Sequence, residues 1–278
     1  MSKNKLTPAQ RLLRRLDLKA AGTDEFIGGA GSGGVTANAR LYGGLVAAQA
    51  SMAALRSVDN GTVLHSLHAY FLRPGRAEQD IRFQVTRSKE GRNFSVRQVD
   101  AWQADTRIFQ LQASFQQPEP GVERSPQMPE VAAPDTLPNR DQLRGRENWQ
   151  QMPIDVRMVS EITADQPLDP NQQVWLKSNT PLTDETDLHF ALTVYASDRS
   201  LLDTAWRPHA DQGELSGASL DHSMWFHHTP NFDDWLLYDM ASYNAAGARG
   251  LAFGHMFDCS GRCIVTTAQE GLLRIRQR

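Results

Sequence analysis

The feature that most constrains the fold of this chain is a repeated order of elements around a proline-rich middle segment. In the first half, the small apolar residues from Ala37 to Ser57 predict a helix, and four strand patterns follow. In the second half, Asp184 to Asp203 predicts a helix, and four strand patterns again follow. Residues 117–150 carry six prolines among charged residues, a composition typical of a linker.

Strand patterns in both halves are bounded by turn residues such as Arg73-Pro74-Gly75. The predicted strands are Leu64 to Leu72, Ile81 to Ser88, Phe94 to Gln103, Arg107 to Gln116, Val156 to Thr163, Gln173 to Ser178, Leu220 to His227, Leu236 to Ala245, Ala248 to Asp258 and Arg262 to Arg274. A leading amphipathic helix is expected from Thr7 to Ala20, with Thr7 as its N-cap. A glycine-rich loop is expected at 28–34.

The two halves align at a constant offset of 155 residues, which places Phe71 on Phe226 and Arg107 on Arg262. The same offset places Gly43 on Asp198 and Ser114 on Gln269. A helix followed by antiparallel strands suggests a sheet wrapped around that helix. Two such units would share one sheet, because pairing their edges removes exposed strand edges. We therefore predict an α+β protein with units at 1–116 and 151–278, joined by the linker at 117–150.

Composition excludes several classes of protein. The net charge is -3 and the sequence pI about 6.2, so no basic surface for nucleic acid is expected. No apolar run reaches the roughly 18 residues of a membrane span, and the first residues lack an apolar signal core. The two cysteines, Cys259 and Cys263, form neither a disulfide framework nor a zinc motif. These features favour a cytoplasmic protein without a structural metal.

Four blocks of sequence resemble acyl-CoA thioesterase II, a family of tandem double hotdog enzymes. The blocks are Tyr42-Gly43-Gly44 with His65-Ser66-Leu67-His68-Ala69-Tyr70-Phe71-Leu72-Arg73-Pro74-Gly75, then Tyr195-Ala196-Ser197-Asp198, then Leu220-Asp221-His222-Ser223-Met224-Trp225-Phe226-His227, and Ala268-Gln269-Glu270-Gly271. Their order and spacing match the family across almost the whole chain. The resemblance implies a double hotdog fold, with two long helices wrapped by a continuous antiparallel sheet, and hydrolysis of acyl-CoA.

The resemblance also implies three catalytic residues, which position the attacking water in that family. They are Asp198 at the second helix, Ser219 just before the Asp221 block, and Gln269 in the last strand. Ser219 stands where the family often has threonine, and it keeps the hydroxyl group. Hotdog enzymes further imply substrate contact at Gly43 and Gly44, no metal or organic cofactor, and a homo-oligomer.

The chemistry of thioester hydrolysis suits such a set of residues. A carboxylate can accept a proton from water, while a hydroxyl and an amide hold that water at a fixed angle. The coenzyme A thiolate is a good leaving group, so a covalent nucleophile is not essential. A backbone N–H near a helix N-terminus would stabilise the oxyanion, and Gly43 and Gly44 let a substrate approach the backbone closely.

Two alternatives stay open on the sequence. A hotdog enoyl-CoA hydratase would carry a histidine about five residues after its aspartate, where this chain has Asp203. A non-catalytic acyl-CoA binder would not need Asp198, Ser219 and Gln269 together. A serine hydrolase is disfavoured because the Gly-x-Ser-x-Gly elbow is absent. His65, His68, His222, His227 and His228 are expected to have packing or strand-face roles.

Overall fold

A continuous antiparallel sheet of twelve strands forms the frame of the molecule. The computed structural model describes residues 6–30, 40–58, 61–160, 166–182 and 185–276. Its α-helices are α1 Pro8–Leu16, α2 Gly43–Leu55, α3 Arg140–Leu143, α4 Thr186–Ser197 and α5 Leu201–Trp206. Its strands are β1 Lys19–Gly22, β2 Glu25–Gly28, β3 Val63–Phe71, β4 Ile81–Lys89, β5 Phe94–Gln103, β6 Thr106–Gln116, β7 Ile154–Met158, β8 Asn171–Ser178, β9 Glu214–Ser216, β10 Asp221–Phe226, β11 Leu236–Ala246, β12 Arg249–Phe257, β13 Cys263–Leu272 and β14 Arg274–Arg276.

The strand order shows how the two halves join. It runs β1-β2-β4-β5-β6-β3-β10-β13-β12-β11-β8-β7, so the second half repeats the first in reverse around the central β3–β10 pair. In that pair His68 lies opposite Ser223, and Ser66 lies opposite Trp225. The predicted α+β architecture, with two helices wrapped by one antiparallel sheet, is confirmed.

Both central helices are core helices. In α2, twelve of the thirteen residues are buried, so the helix has no solvent face. In α4, the buried residues include Phe190, Leu192 and Val194. Tyr42, before the first turn of α2, contacts Tyr195 in the last turn of α4, with ring centroids 5.0 Å apart. The two helices therefore lie side by side with opposite polarity, and the start of α2 meets the end of α4.

Several predicted boundaries are wrong. The leading helix ends at Leu16 rather than Ala20, because β1 and β2 form a hairpin there, with Asp24 at a φ of 55° in its turn. The predicted helix over Asp184 to Asp203 is two helices, with Asp198 in the break between α4 and α5. Part of the predicted glycine-rich loop, and the residues 37–39 assigned to a helix, lie outside the described residues.

The proline-rich middle segment packs against the second half. Met128, Val131 and Leu137 cover an apolar cluster that includes Trp175. The Trp175 indole N–H donates to the Ala132 carbonyl oxygen at 3.0 Å. The segment thus shields apolar side chains, and its exact limits as a linker stay a prediction.

Candidate active site

The end of α4 brings one carboxylate into contact with three other parts of the chain. Asp198 is the C-cap of α4. Its Oδ2 accepts a hydrogen bond from the Gly44 backbone N–H at 2.7 Å. Its Oδ1 accepts from Gln269 Nε2 at 2.7 Å and from Ser219 Oγ at 3.4 Å. Gln269 Nε2 also donates to Ser219 Oγ at 3.1 Å. All three predicted catalytic residues are therefore brought together, although they lie up to 71 positions apart in the chain.

Each side chain of this trio is placed by a different element. Gln269 lies on the inner face of β13 and is fully buried. Ser219 precedes β10 and forms an isolated antiparallel bridge with Gly271. Asp198 is held where the helix stops, opposite the N-terminus of α2. The N-terminus of α2 is the positive end of its helix dipole, and it favours a carboxylate at this position.

The electrostatics of Asp198 suit a proton acceptor. The pKa of Asp198 is raised to about 6, chiefly by burial and to a smaller extent by the nearby charge of Asp203. The hydrogen bonds from Gln269, Gly44 and Ser219 act in the opposite direction. The residue as a whole is half-buried. A base with a pKa near the working pH is effective in proton transfer.

Gly43 and Gly44 have no room for side chains. A Cβ on Gly43 would lie 2.8 Å from the Phe71 ring and 3.0 Å from Asp198 Oδ2. A Cβ on Gly44 would lie 2.6 Å from the Tyr195 carbonyl oxygen. Only glycine permits the backbone of α2 to approach the end of α4 this closely. The close approach gives Asp198 its bond from the Gly44 N–H.

Two correspondences drawn from the 155-residue offset are wrong at the site. α4 ends at Ser197, so Asp198 matches the C-cap of α2, Arg56, and not Gly43. By cross-strand pairing Gln269 matches Ala113, and not Ser114. Ser114 lies between buried Ala113 and Phe115, faces outward, and is 2.8 Å from His65 Nε2. At these two positions the first half has Arg56 and Ala113, so it lacks the carboxylate and the amide of the trio.

One contact near the site was missed by the sequence reasoning. The Tyr42 hydroxyl donates to the Tyr195 carbonyl oxygen at 2.8 Å, which joins the start of α2 to the last turn of α4. Both tyrosines belong to the recognised sequence blocks, but nothing in the sequence shows that they meet.

The histidines are bound to hydroxyl groups. His68 lies 3.1 Å from Ser223 Oγ, and His227 lies 2.8 Å from Thr266 Oγ1. Within the described residues, no group of three His, Cys, Asp or Glu side chains is arranged to hold a metal ion. No helix in the described ranges is long and apolar enough to cross a membrane.

A polar cleft of about 570 Å³ lies away from the trio, beside β7 and β8. Its lining includes Arg157, Lys177, Asp233 and Trp235. None of the trio lines it, so this cleft is separate from the candidate active site.

Comparison with known proteins decides the family. A family model described as acyl-CoA thioesterase matches residues 148–272, and a model of the acyl-CoA thioesterase N-terminal domain matches residues 32–116. Mouse acyl-coenzyme A thioesterase 8 is 35% identical over 264 residues, which cover 87% of this chain and 82% of the relative. The chain belongs to the acyl-CoA thioesterase II family. The recognition from sequence blocks is confirmed, and so is the expected enzyme class, a thioester hydrolase.

Two further relatives support the thioesterase assignment. Acyl-CoA thioesterase 2 of Haemophilus influenzae is 36% identical over 256 residues, covering 86% of this chain and 89% of the relative. The crystal structure of an acyl-CoA thioesterase II from Mycobacterium marinum superposes with a TM-score of 0.80 at 35% identity, covering 96% of this chain and 99% of that one. The double hotdog fold of the thioesterase is thereby confirmed.

Proposed function

We propose that this thioesterase hydrolyses fatty acyl-CoA to a free fatty acid and coenzyme A with a water held by Asp198, Ser219 and Gln269. The convergence of a carboxylate, a hydroxyl and an amide on one point carries the proposal. Gln269 Oε1 is buried without a partner in the described part of the chain, so it is free to accept a hydrogen bond from that water. A non-catalytic acyl-CoA binder would not require this arrangement.

The reaction follows from the geometry. Asp198 accepts a proton as the water oxygen bonds to the thioester carbonyl carbon. The tetrahedral intermediate then collapses, the carbon–sulfur bond breaks, and the coenzyme A thiolate takes the proton back from Asp198. Proton transfer and fixed orientation are the effects that the residues supply.

The oxyanion of the intermediate needs a donor, and we assign it to the backbone at the start of α2. Gly44 N–H already bonds Asp198, which leaves Gly43 N–H, one residue earlier, as the donor for substrate. A helix N-terminus presents its N–H groups outward and favours negative charge.

The setting of the enzyme is also a proposal. Both cysteines are free, which is consistent with a cytoplasmic role in lipid metabolism. Tyr70 and Trp225 lie exposed on the outer face of the central strands, and this face could support the homo-oligomer that the family resemblance implies.

Release of free thiol from a panel of saturated acyl-CoAs, measured from pH 5 to 8, tests the proposal. We expect kcat/KM to fall about tenfold per pH unit below an apparent pKa near 6, because only the ionised Asp198 accepts a proton. A folded protein that binds acyl-CoA but releases no thiol would support the non-catalytic binder instead.

A further inference from the structure

Directly behind Asp198 lies a set of buried polar side chains that the proposed mechanism does not use. His222 Nε2 is 2.7 Å from Ser197 Oγ. The Tyr238 hydroxyl donates to the Ser197 carbonyl oxygen at 3.3 Å and lies 2.9 Å from Thr267 Oγ1. All four side chains are at most 1% exposed. We call these four residues the buried polar set.

The corresponding positions in the first half can be found from cross-strand partners. Thr267 pairs with Met224 and Gly254. In the first half, Leu111 pairs with Ala69 and Val99, which stand 155 positions before Met224 and Gly254 on the corresponding strands. Leu111 is therefore the counterpart of Thr267. Two residues further along each strand, Ala113 is the counterpart of Gln269.

The other three counterparts follow from the same register. Tyr238 pairs with Met256, as Phe83 pairs with Ala101 in the first half. His222 stands two residues before Met224, as Leu67 stands two before Ala69. Ser197 ends α4, as Leu55 ends α2. The first half thus has three leucines and one phenylalanine at the positions where the second half has the buried polar set.

This internal comparison shows that the fold does not need polar groups at these positions. Leu55, Leu67, Phe83 and Leu111 are all buried in the same kind of core. Burying hydroxyl and imidazole groups costs free energy unless they are fully hydrogen-bonded. His222 Nδ1 is buried without a partner among the described residues, so the set is not even fully satisfied. The presence of the buried polar set in the second half therefore calls for a function near Ser197 and Asp198.

The contacts indicate which function that is. Ser197 immediately precedes Asp198. His222 contacts its side chain, and the Tyr238 hydroxyl donates to its carbonyl oxygen. These two contacts restrict the backbone of Ser197, and with it the direction in which the Asp198 side chain leaves the chain. Burial lowers the pKa of His222 to about 4, so the imidazole stays neutral and acts as a hydrogen-bond partner at working pH.

We propose that His222, Tyr238 and Thr267 are positioning residues that fix the carboxylate of Asp198 through Ser197. The proposal rests on the proposed role of Asp198 as the general base. It predicts that the second half keeps these polar groups at a cost in stability, and that removing them affects the chemical step more than substrate binding.

The test replaces residues of the buried polar set with apolar residues, like those at the corresponding positions of the first half. Tyr238→Phe removes one hydroxyl and restores the residue type of Phe83. Thr267→Val removes the other hydroxyl at nearly constant shape. Thr193→Val is the matched control. Thr193 is buried in α4, and within the described residues its hydroxyl bonds only the His189 carbonyl oxygen, at 2.7 Å.

We expect Tyr238→Phe to lower kcat by on the order of 10-fold to 100-fold, the scale for a small misplacement of a catalytic group. KM should stay within about twofold, and the urea midpoint should stay equal or rise. The acid limb of kcat/KM should move to higher pH, because the hydrogen bonds that oppose the raised pKa of Asp198 become weaker. The double variant with Thr267→Val should lose no more than the larger single loss, since both act through one residue.

Two results would overturn the proposal. One is wild-type kcat and an unmoved acid limb in Tyr238→Phe and in the double variant His222→Leu/Ser197→Ala. The other is a loss of kcat that only accompanies a lower urea midpoint and that Thr193→Val reproduces. Asp198→Asn, measured beside them, separates the two proposals: if it keeps wild-type turnover, the general-base role itself fails, whereas failure of positioning alone leaves Asp198→Asn inactive.

Discussion

Asp198→Asn should inactivate the thioesterase and at the same time stabilise it at neutral pH. The variant removes the proposed base, so turnover should fall by on the order of 10²-fold or more. The side chain keeps its shape. Its oxygen can accept from Gly44 N–H, while its amide takes the place of the oxygen that accepts from Gln269 Nε2. Once the Gln269 amide turns over, that amide can donate to Gln269 Oε1, which has no partner in the described ranges.

The gain in stability follows from the pKa of Asp198, which is about 6 instead of 3.8. Between these values the folded protein holds a proton that the unfolded chain has released, so the free energy of unfolding falls as pH rises. At about 1.4 kcal/mol per pKa unit, the loss in wild type reaches at most about 3 kcal/mol above pH 6. Asp198→Asn has no titrating group and escapes this loss.

Urea unfolding of both proteins at pH 4.5 and pH 7.5 measures the effect. At each pH the free energy of unfolding of wild type is subtracted from that of the variant. This difference should be about 2 kcal/mol larger at pH 7.5 than at pH 4.5, which is the part of the loss that falls between pH 4.5 and 6. Other titrating groups contribute equally to both proteins and cancel.

An equal difference at both pH values would refute the electrostatic reasoning, because Asp198 would then have an ordinary pKa in the folded enzyme. Thiol release at the wild-type rate by the folded variant would refute the role of Asp198 as base.

Three further predictions concern the same site. Gln269→Ala should abolish most turnover while Ser114→Ala leaves it unchanged, and equal losses in thiol release would contradict the one-sided site. Ser219→Thr should keep turnover within a few-fold, whereas Ser219→Ala should lose roughly 10-fold, the effect of one hydrogen bond to a charged group, as kcat at saturating acyl-CoA will show. Gly44→Ala should lower both the urea midpoint and kcat, because its Cβ would meet the Tyr195 carbonyl oxygen at 2.6 Å; unchanged unfolding would disprove the tight helix contact.

Much of the fold was readable from local patterns. Most of the sheet strands were predicted within a few residues, because alternation and turn residues are local properties of sequence. The β1–β2 hairpin at Lys19–Gly22 and Glu25–Gly28 was missed, since its short strands gain their stability from pairing with β4. The break at Asp198 was also missed, because the composition of Asp184 to Asp203 reads as one helix.

The trio at the candidate site was named through family resemblance, and the repeat arithmetic beside it gave the wrong partners. A single offset cannot describe two halves whose strands differ by one residue in register, because one residue reverses the face of a side chain. The offset matches buried Gln269 with Ser114, whose side chain faces outward, instead of with its buried neighbour Ala113.

The sequence by itself determined the two apolar helices, the alternating strands and the proline-rich middle segment, because these depend on residue type and local periodicity. Its resemblance to a family named Asp198, Ser219 and Gln269. Only the tertiary structure decided that the N-terminus of α2 meets the end of α4, since that contact joins residues about 150 positions apart. It alone also revealed the buried polar set, because the contrast with apolar counterparts in the first half depends on cross-strand register, which is fixed by packing of the whole sheet.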